Sequence, residues 1–184
     1  MLDASLPDSA PYEFIQKKPA LFLDRDGVVN IEKNYLHKKE DFEFIEGIFD
    51  LCQYYMKKNY YIIVVTNQSG IARGYYSEMD FTNLTSWMID TFDAKGVSID
   101  HVYHCPHHPD ISGECECRKP KAGMLFEAAK DFNVDLENSV LVGDSERDVQ
   151  AAHIAGLKET YLFSELPKET SASKNIHNLK ELIC

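Results

Sequence analysis

No apolar run in this 184-residue chain approaches the length of a membrane span. The start lacks a basic segment followed by an apolar stretch. It carries Asp3, Asp8, Glu13, Lys17 and Lys18 among Pro7, Pro11 and Pro19. No signal peptide is therefore expected, and a soluble cytoplasmic protein is the default. Positive charge is also scarce, with 19 basic against 30 acidic residues and a formal net charge of -11. That argues against a nucleic-acid partner, which normally requires a basic face. An anionic small molecule is still allowed, because Arg118, Lys119 and Lys121 can make one pocket locally positive. There is no internal repeat and no low-complexity segment. The length suits one domain, expected over residues 20–184 after an N-terminal extension at 1–19, and a monomer.

What the chain does have is strand, turn and helix in alternation. Apolar runs occur at 20–23, 60–65, 101–104 and 139–142, with a weaker one at 160–163. Runs with so little polar alternation suit strands buried on both faces of a parallel sheet. Helical spacing appears at 47–58, 122–132 and 145–155, and from a Ser77 cap to Gly96. Residues 174–184 read as a short terminal helix. The fold expected is α/β: a doubly wound parallel sheet in three layers, helices on both faces. Polar residues then collect at the carboxyl ends of successive strands: Asp24 and Asp26, Thr66 and Asn67, Arg118 and Lys119, then Asp144. Ligands of such sheets bind outside those ends.

Asp24 and Asp26 lie two apart just past the first strand, and Gly27 frees the backbone to turn. Two such carboxylates repel unless a cation or a shared proton offsets the charge. Asp144 supplies a third, and an all-oxygen set suits Mg²⁺ rather than Zn²⁺. Taken alone, a D-x-D pair is also common in solvated turns.

A second cluster, CPHHPDISGECECRKP, spans Cys105 to Pro120. Cys105 and His107, then Cys115 and Cys117, form two close pairs of the kind that bind tetrahedral Zn²⁺. Four protein ligands leave no open position, so the zinc would be structural. Reduced thiols or a Cys115–Cys117 disulfide are the alternatives, and His104 and His108 compete for the fourth position. Cys52, on a helix face, reads as core, and Cys184 as incidental.

The segment Asp24-Arg25-Asp26-Gly27-Val28-Val29 resembles the first motif of the haloacid dehalogenase superfamily of phosphohydrolases. Thr66, Lys119 and Gly143-Asp144-Ser145-x-x-Asp148 resemble the second, third and fourth motifs, in family order. The resemblance implies that Asp24 is the nucleophile and Asp26 the general acid and base. It implies Mg²⁺ on Asp24, Asp144 and the Asp26 carbonyl. Thr66 and the Asn67 backbone would hold phosphoryl oxygens, and Lys119 would balance their charge. Asp148 would orient Lys119, cap backbone or reach metal through water.

The zinc loop at 105–117 followed by Cys-Arg-Lys-Pro marks a small branch, the heptose-bisphosphate and histidinol-phosphate phosphatases. The run Thr66-Asn67-Gln68-Ser69-Gly70-Ile71-Ala72-Arg73-Gly74 resembles the heptose members. Ser145 stands where some of them carry Lys. About forty residues separate Asp26 from Thr66, too few for a separate cap domain. The resemblance therefore implies a phosphorylated-sugar substrate touched by Glu32, Lys33, Asn34, Tyr35, Gln68, Ser69 and Arg118. It further implies removal of the C7 phosphate of a heptose 1,7-bisphosphate, on the route to nucleotide-activated heptose for lipopolysaccharide or other surface glycans.

Overall fold

The computed structural model describes residues 16–183. Residues 1–15 of the expected extension, and Cys184, lie outside them. The described residues form six strands: β1 (Ala20–Leu23), β2 (Tyr61–Asn67), β3 (His101–Cys105), β4 (Val140–Gly143), β5 (Glu159–Phe163) and β6 (Lys174–Ile176). All pair in parallel, in the order β3-β2-β1-β4-β5-β6. The helices are α1 (Ile48–Lys57), α2 (Glu78–Ala94), the single turn α3 (Pro109–Ser112), α4 (Gly123–Phe132) and α5 (Glu146–Ala155).

Side chains alternate between the two faces of the sheet. Leu21 and Leu23 of β1, Ile62 and Val64 of β2, and Val142 of β4 pack with Leu51, Met88 and Phe92 of α1 and α2. Phe22, Ile63, Val65 and Leu141 pack on the opposite face with Leu125, Ala128 and Ala152 of α4 and α5. Both faces being covered, neither set can be polar, which is why these strands are unbroken apolar runs. The chain lays down β1 to β3 in one direction, then returns to the other side of β1. Right-handed crossovers then put α1 and α2 on one face and α4 and α5 on the other. The reversal falls between β1 and β4, so their carboxyl ends open a crevice.

Two helices begin in capping boxes, Ser77 with Asp80 for α2 and Ser145 with Asp148 for α5. Between β1 and β2 lie only a 3-10 turn at Lys39–Asp41 and α1. That connection is pinned by aromatic packing of Phe42 on Trp87 and of Phe44 and Phe49 on Phe92. The expected terminal helix over 174–184 is not formed. Lys174–Ile176 is instead an edge strand, pairing Leu162 with Asn175, and Leu179–Leu182 is a 3-10 turn. Leu179 and Leu182 are buried against the α1 side of the core, so tertiary burial wins over helix propensity there. No described helix is long and apolar enough to cross a membrane.

Candidate active site

A cavity of about 300 Å³ lies at the carboxyl ends of the central strands. Asp24 follows β1 directly and stays in the sheet's ladder, its N–H donating to the Val142 carbonyl at 3.0 Å. Asp144 follows β4. Gly27 closes the first turn at φ +89, and a Cβ there would fall 2.2 Å from Asp144 Oδ2. Only glycine allows the two loops to approach this closely.

Lys119 arrives from the segment after the cysteines and is 4% exposed. Its Nζ lies 2.9 Å from Asp24 Oδ1 and 2.6 Å from Asp148 Oδ1, and it donates to the Val65 carbonyl at 2.8 Å. Burial alone would depress its pKa, but Asp148 and Asp24 hold it above the ordinary lysine value. The Lys119 backbone is fixed as well. Its N–H donates to Asn67 Oδ1, and Asn67 Nδ2 donates to its carbonyl, both at 3.1 Å. The Asn67 side chain is thus occupied by protein. Asp148 meets Lys119 with one oxygen and receives the Ser145 N–H and hydroxyl on the other, at 3.1 and 2.7 Å. Its geometry thus orients Lys119 and caps the start of α5, and its carboxylate also lies beside those of Asp24 and Asp144.

Asp24, Asp144 and Asp148 offer oxygens that all lie within 4.8 Å of one another. Burial first, then Asp148, pushes Asp144 up to about 6. Burial, with Asp148 and Asp144 adding to it, pushes Asp24 well above the carboxylate range against the pull of Lys119. One lysine does not balance three carboxylates, and a hard divalent cation between Asp24 and Asp144 would relieve this excess.

Asp26 turns the other way. Its oxygens accept from Arg25 Nε and Nη2, from Asn30 Nδ2 at 3.1 Å and from Gln68 Nε2 at 2.9 Å. Arg25 is 1% exposed, and its carbonyl accepts the N–H groups of Val28, Val29 and Asn30. It therefore holds the loop and the Asp26 carboxylate together.

Thr66, Asn67, Gln68 and Ser69 line the cavity, as do Glu32, Asn34, Tyr35 and Arg118. Lys33 does not; its ammonium pairs with Glu43. Burial, then the Asp26 charge, pushes Glu32 up. Sequence reasoning passed over Arg25, Tyr76 and Arg147. Tyr76 and Arg147 both line the cavity. Neither has a motif position to mark it; Arg147 is displayed only because α5 starts at the crevice.

Cys105, His107, Cys115 and Cys117 come together beside this site. The sulfurs lie 2.9 to 3.6 Å apart. His107 Nδ1 is 3.7 Å from Cys105 Sγ and 3.3 Å from Cys117 Sγ. A disulfide needs about 2.05 Å, so the Cys115–Cys117 bond is not made. Zinc–sulfur bonds of about 2.3 Å imply tetrahedral edges of about 3.8 Å. The Cys105–Cys115 and Cys115–Cys117 edges, at 3.6 and 3.5 Å, come near this, and the Cys105–Cys117 edge is shorter. Burial, then the neighbouring Cys105 and Cys115 sulfurs, pushes the Cys117 thiol up. The other histidines are engaged elsewhere: His104 with Glu78 and the Phe81 ring, His108 with Arg73. The loop also grips the site, since Arg118 Nη1 donates to the His107 carbonyl at 3.1 Å. Cys52 is fully buried in the core.

A six-stranded parallel sheet with paired aspartates after β1, a threonine near the end of β2 and a buried lysine on the first aspartate defines a haloacid-dehalogenase-type hydrolase. The HAD-hydrolase-like family model matches residues 116–173. The D-glycero-alpha-D-manno-heptose-1,7-bisphosphate 7-phosphatase of Campylobacter jejuni is 50% identical over 91% of this chain and 95% of its own. The D-glycero-beta-D-manno-heptose-1,7-bisphosphate 7-phosphatase of Vibrio cholerae is 48% identical over 76% and 78%. Among solved structures, the D,D-heptose 1,7-bisphosphate phosphatase of B. bronchiseptica, complexed with magnesium and phosphate, superposes with a TM-score of 0.75. It is 31% identical, covering 88% of this chain and 93% of that one. The chain belongs to the heptose-1,7-bisphosphate 7-phosphatase family of HAD hydrolases.

Proposed function

We propose that this protein is a Mg²⁺-dependent phosphatase that removes the C7 phosphate of D-glycero-D-manno-heptose 1,7-bisphosphate. One observation carries the reading: three cations line the cavity, Lys119 buried against Asp24 and the less buried guanidinium groups of Arg118 and Arg147, enough to meet both phosphates of a bisphosphate.

Asp24 attacks phosphorus, and the bond from phosphorus to the C7 oxygen breaks. Asp26 gives its proton to that leaving oxygen. Asp26 then takes a proton from water, which attacks the aspartyl-phosphate and releases inorganic phosphate and free Asp24. Thr66 and the Asn67 N–H bind the phosphoryl oxygens, and Lys119 offsets their charge. Asp24, Asp144 and the Asp26 carbonyl would hold Mg²⁺, which supplies positive charge to the phosphoryl group when bound. Glu32, Asn34, Tyr35 and Ser69 meet the sugar.

The test measures phosphate release with Mg²⁺ from both anomers of the heptose bisphosphate and from histidinol phosphate. Efficient turnover of a heptose bisphosphate is expected; turnover of histidinol phosphate alone would overturn the reading. Arg147→Ala should raise KM for the bisphosphate about tenfold, the effect of losing one charge-assisted contact. It should leave the 7-monophosphate untouched.

Zn²⁺ on Cys105, His107, Cys115 and Cys117 has a structural role in this reading: it clamps the segment that delivers Arg118 and Lys119. Cys115→Ser should release zinc and loosen residues 105–119 in hydrogen exchange. A displacement of about 1 Å at the reacting centre costs roughly a hundredfold, and kcat/KM should fall accordingly. Zinc loss with full activity would remove the clamp from the account.

A further inference from the structure

Gln68 lies two residues beyond Thr66 and is 2% exposed. Its carboxamide is occupied at both ends. Nε2 donates to Asp26 Oδ2 at 2.9 Å and to Thr66 Oγ1 at 2.8 Å. Oε1 accepts from the Tyr76 hydroxyl at 2.5 Å. Chemistry fixes this orientation. Both Asp26 oxygens already act as acceptors for Arg25, and Oδ1 for Asn30 as well, so the amide nitrogen is the end of Gln68 that faces Asp26. The amide oxygen then faces Tyr76, whose hydroxyl must donate.

Tyr76 is itself wedged in place. It is 7% exposed, and its ring stacks on His37 with centroids 5.2 Å apart. A Cβ on Gly70 would fall 2.1 Å from Tyr76 Cε1, so the ring depends on glycine there. The route His37, Tyr76, Gln68 thus ends on both the second aspartate and the motif threonine.

The consequence for Thr66 concerns polarity. A hydroxyl has one hydrogen and two lone pairs. The Gln68 N–H occupies a lone pair, leaving the single hydrogen for an oxygen in the cavity. A phosphoryl group needs donors at that point. The same nitrogen sets how far Asp26 stands from Thr66.

We infer that Gln68, oriented by Tyr76, is a positioning residue. It makes Thr66 a donor toward the phosphoryl group and holds Asp26 at its working distance. It is not a contact for the sugar. The inference rests on the roles proposed above for Thr66 and Asp26.

Gln68→Glu keeps the shape but puts acceptors where the amide nitrogen stood. It repels Asp26 and draws the Thr66 hydrogen away from the cavity. The expected result is a fall in kcat of roughly a hundredfold, as for a lost oxyanion donor, with KM unchanged. The factor should be the same on the heptose bisphosphate and on p-nitrophenyl phosphate, which has no sugar to contact. Tyr76→Phe removes one hydroxyl and should lower kcat about tenfold on both substrates. It decides the question if Gln68→Glu does not fold. A rise in KM on the bisphosphate with p-nitrophenyl phosphate turnover intact would make Gln68 a sugar contact and overturn the inference. So would unchanged kcat on both substrates in both variants. Wild-type protein that hydrolyses p-nitrophenyl phosphate but no heptose bisphosphate would defeat the proposed substrate alone. The ratios on p-nitrophenyl phosphate would still decide the role of Gln68.

Discussion

Asp24→Asn abolishes phosphate release while leaving the protein at least as stable in the absence of metal. The two halves of this expectation come from one carboxylate. Asparagine has nearly the same shape, but its amide is too weak a nucleophile to attack phosphorus. Without the covalent route, turnover should fall about ten-thousandfold or more, as when a nucleophile is removed from another covalent hydrolase. Stability moves the opposite way. Asp24 is buried beside Asp144 and Asp148, and its pKa is held well above the usual value. A folded-state pKa above the unfolded one means that ionisation at neutral pH opposes folding. A neutral amide removes that opposition. In EDTA the variant should melt at or above the wild-type temperature. Added Mg²⁺ should raise the wild-type Tm more than that of the variant, because the variant has lost a ligand. Calorimetry with and without Mg²⁺, beside a phosphate assay, checks both halves. Activity above about one part in a hundred would mean another group does the attack.

Asp24, Asp26, Thr66 and Asp144 were legible as a set because each stands at the end of an apolar run, and Lys119 because it follows the cysteine cluster that leaves the end of β3. Strand ends on one edge of a parallel sheet must meet. The cysteine cluster was legible through donor density. Side-chain direction was not. Asn67 and Gln68 sit in the expected segment, yet their amides bind Lys119, Asp26, Thr66 and Tyr76. Sequence spacing locates a loop residue but does not set its rotamer. The same limit explains Lys33, which turns out to Glu43 while its neighbours Glu32 and Asn34 line the cavity. Arg25 was hidden for another reason. Charged side chains are rarely fully buried, and only the tertiary fold supplies the carboxylate and carbonyl groups that pair it. β6 escaped because Lys174-Asn175-Ile176 is an edge strand with a single buried apolar residue, and three residues make no periodicity.

Lys119→Met should cost both activity and stability, and a second substitution should separate the two. Methionine keeps the length of the chain and removes the charge. Asp148, 1% exposed, then loses the ammonium 2.6 Å away, and Asp24 loses it at 2.9 Å. Breaking a buried ion pair from one side typically costs about 3–5 kcal/mol, because the partner charge is left uncompensated. For a chain of this size that corresponds to a Tm lower by roughly 10 °C. Activity should fall by about a thousandfold or more, since the freed carboxylates repel the phosphate dianion and Asp24 binds a proton more readily. Adding Asp148→Asn removes one of the two stranded charges. The double variant should recover several degrees of Tm over Lys119→Met, a coupling expected only between groups in direct contact. It should recover no activity, because the cation that faces the phosphoryl group is still missing. A double variant no more stable than the single one would show that Lys119 holds the fold by packing rather than by charge. Restored turnover would mean that the lysine serves the chemistry only through Asp148.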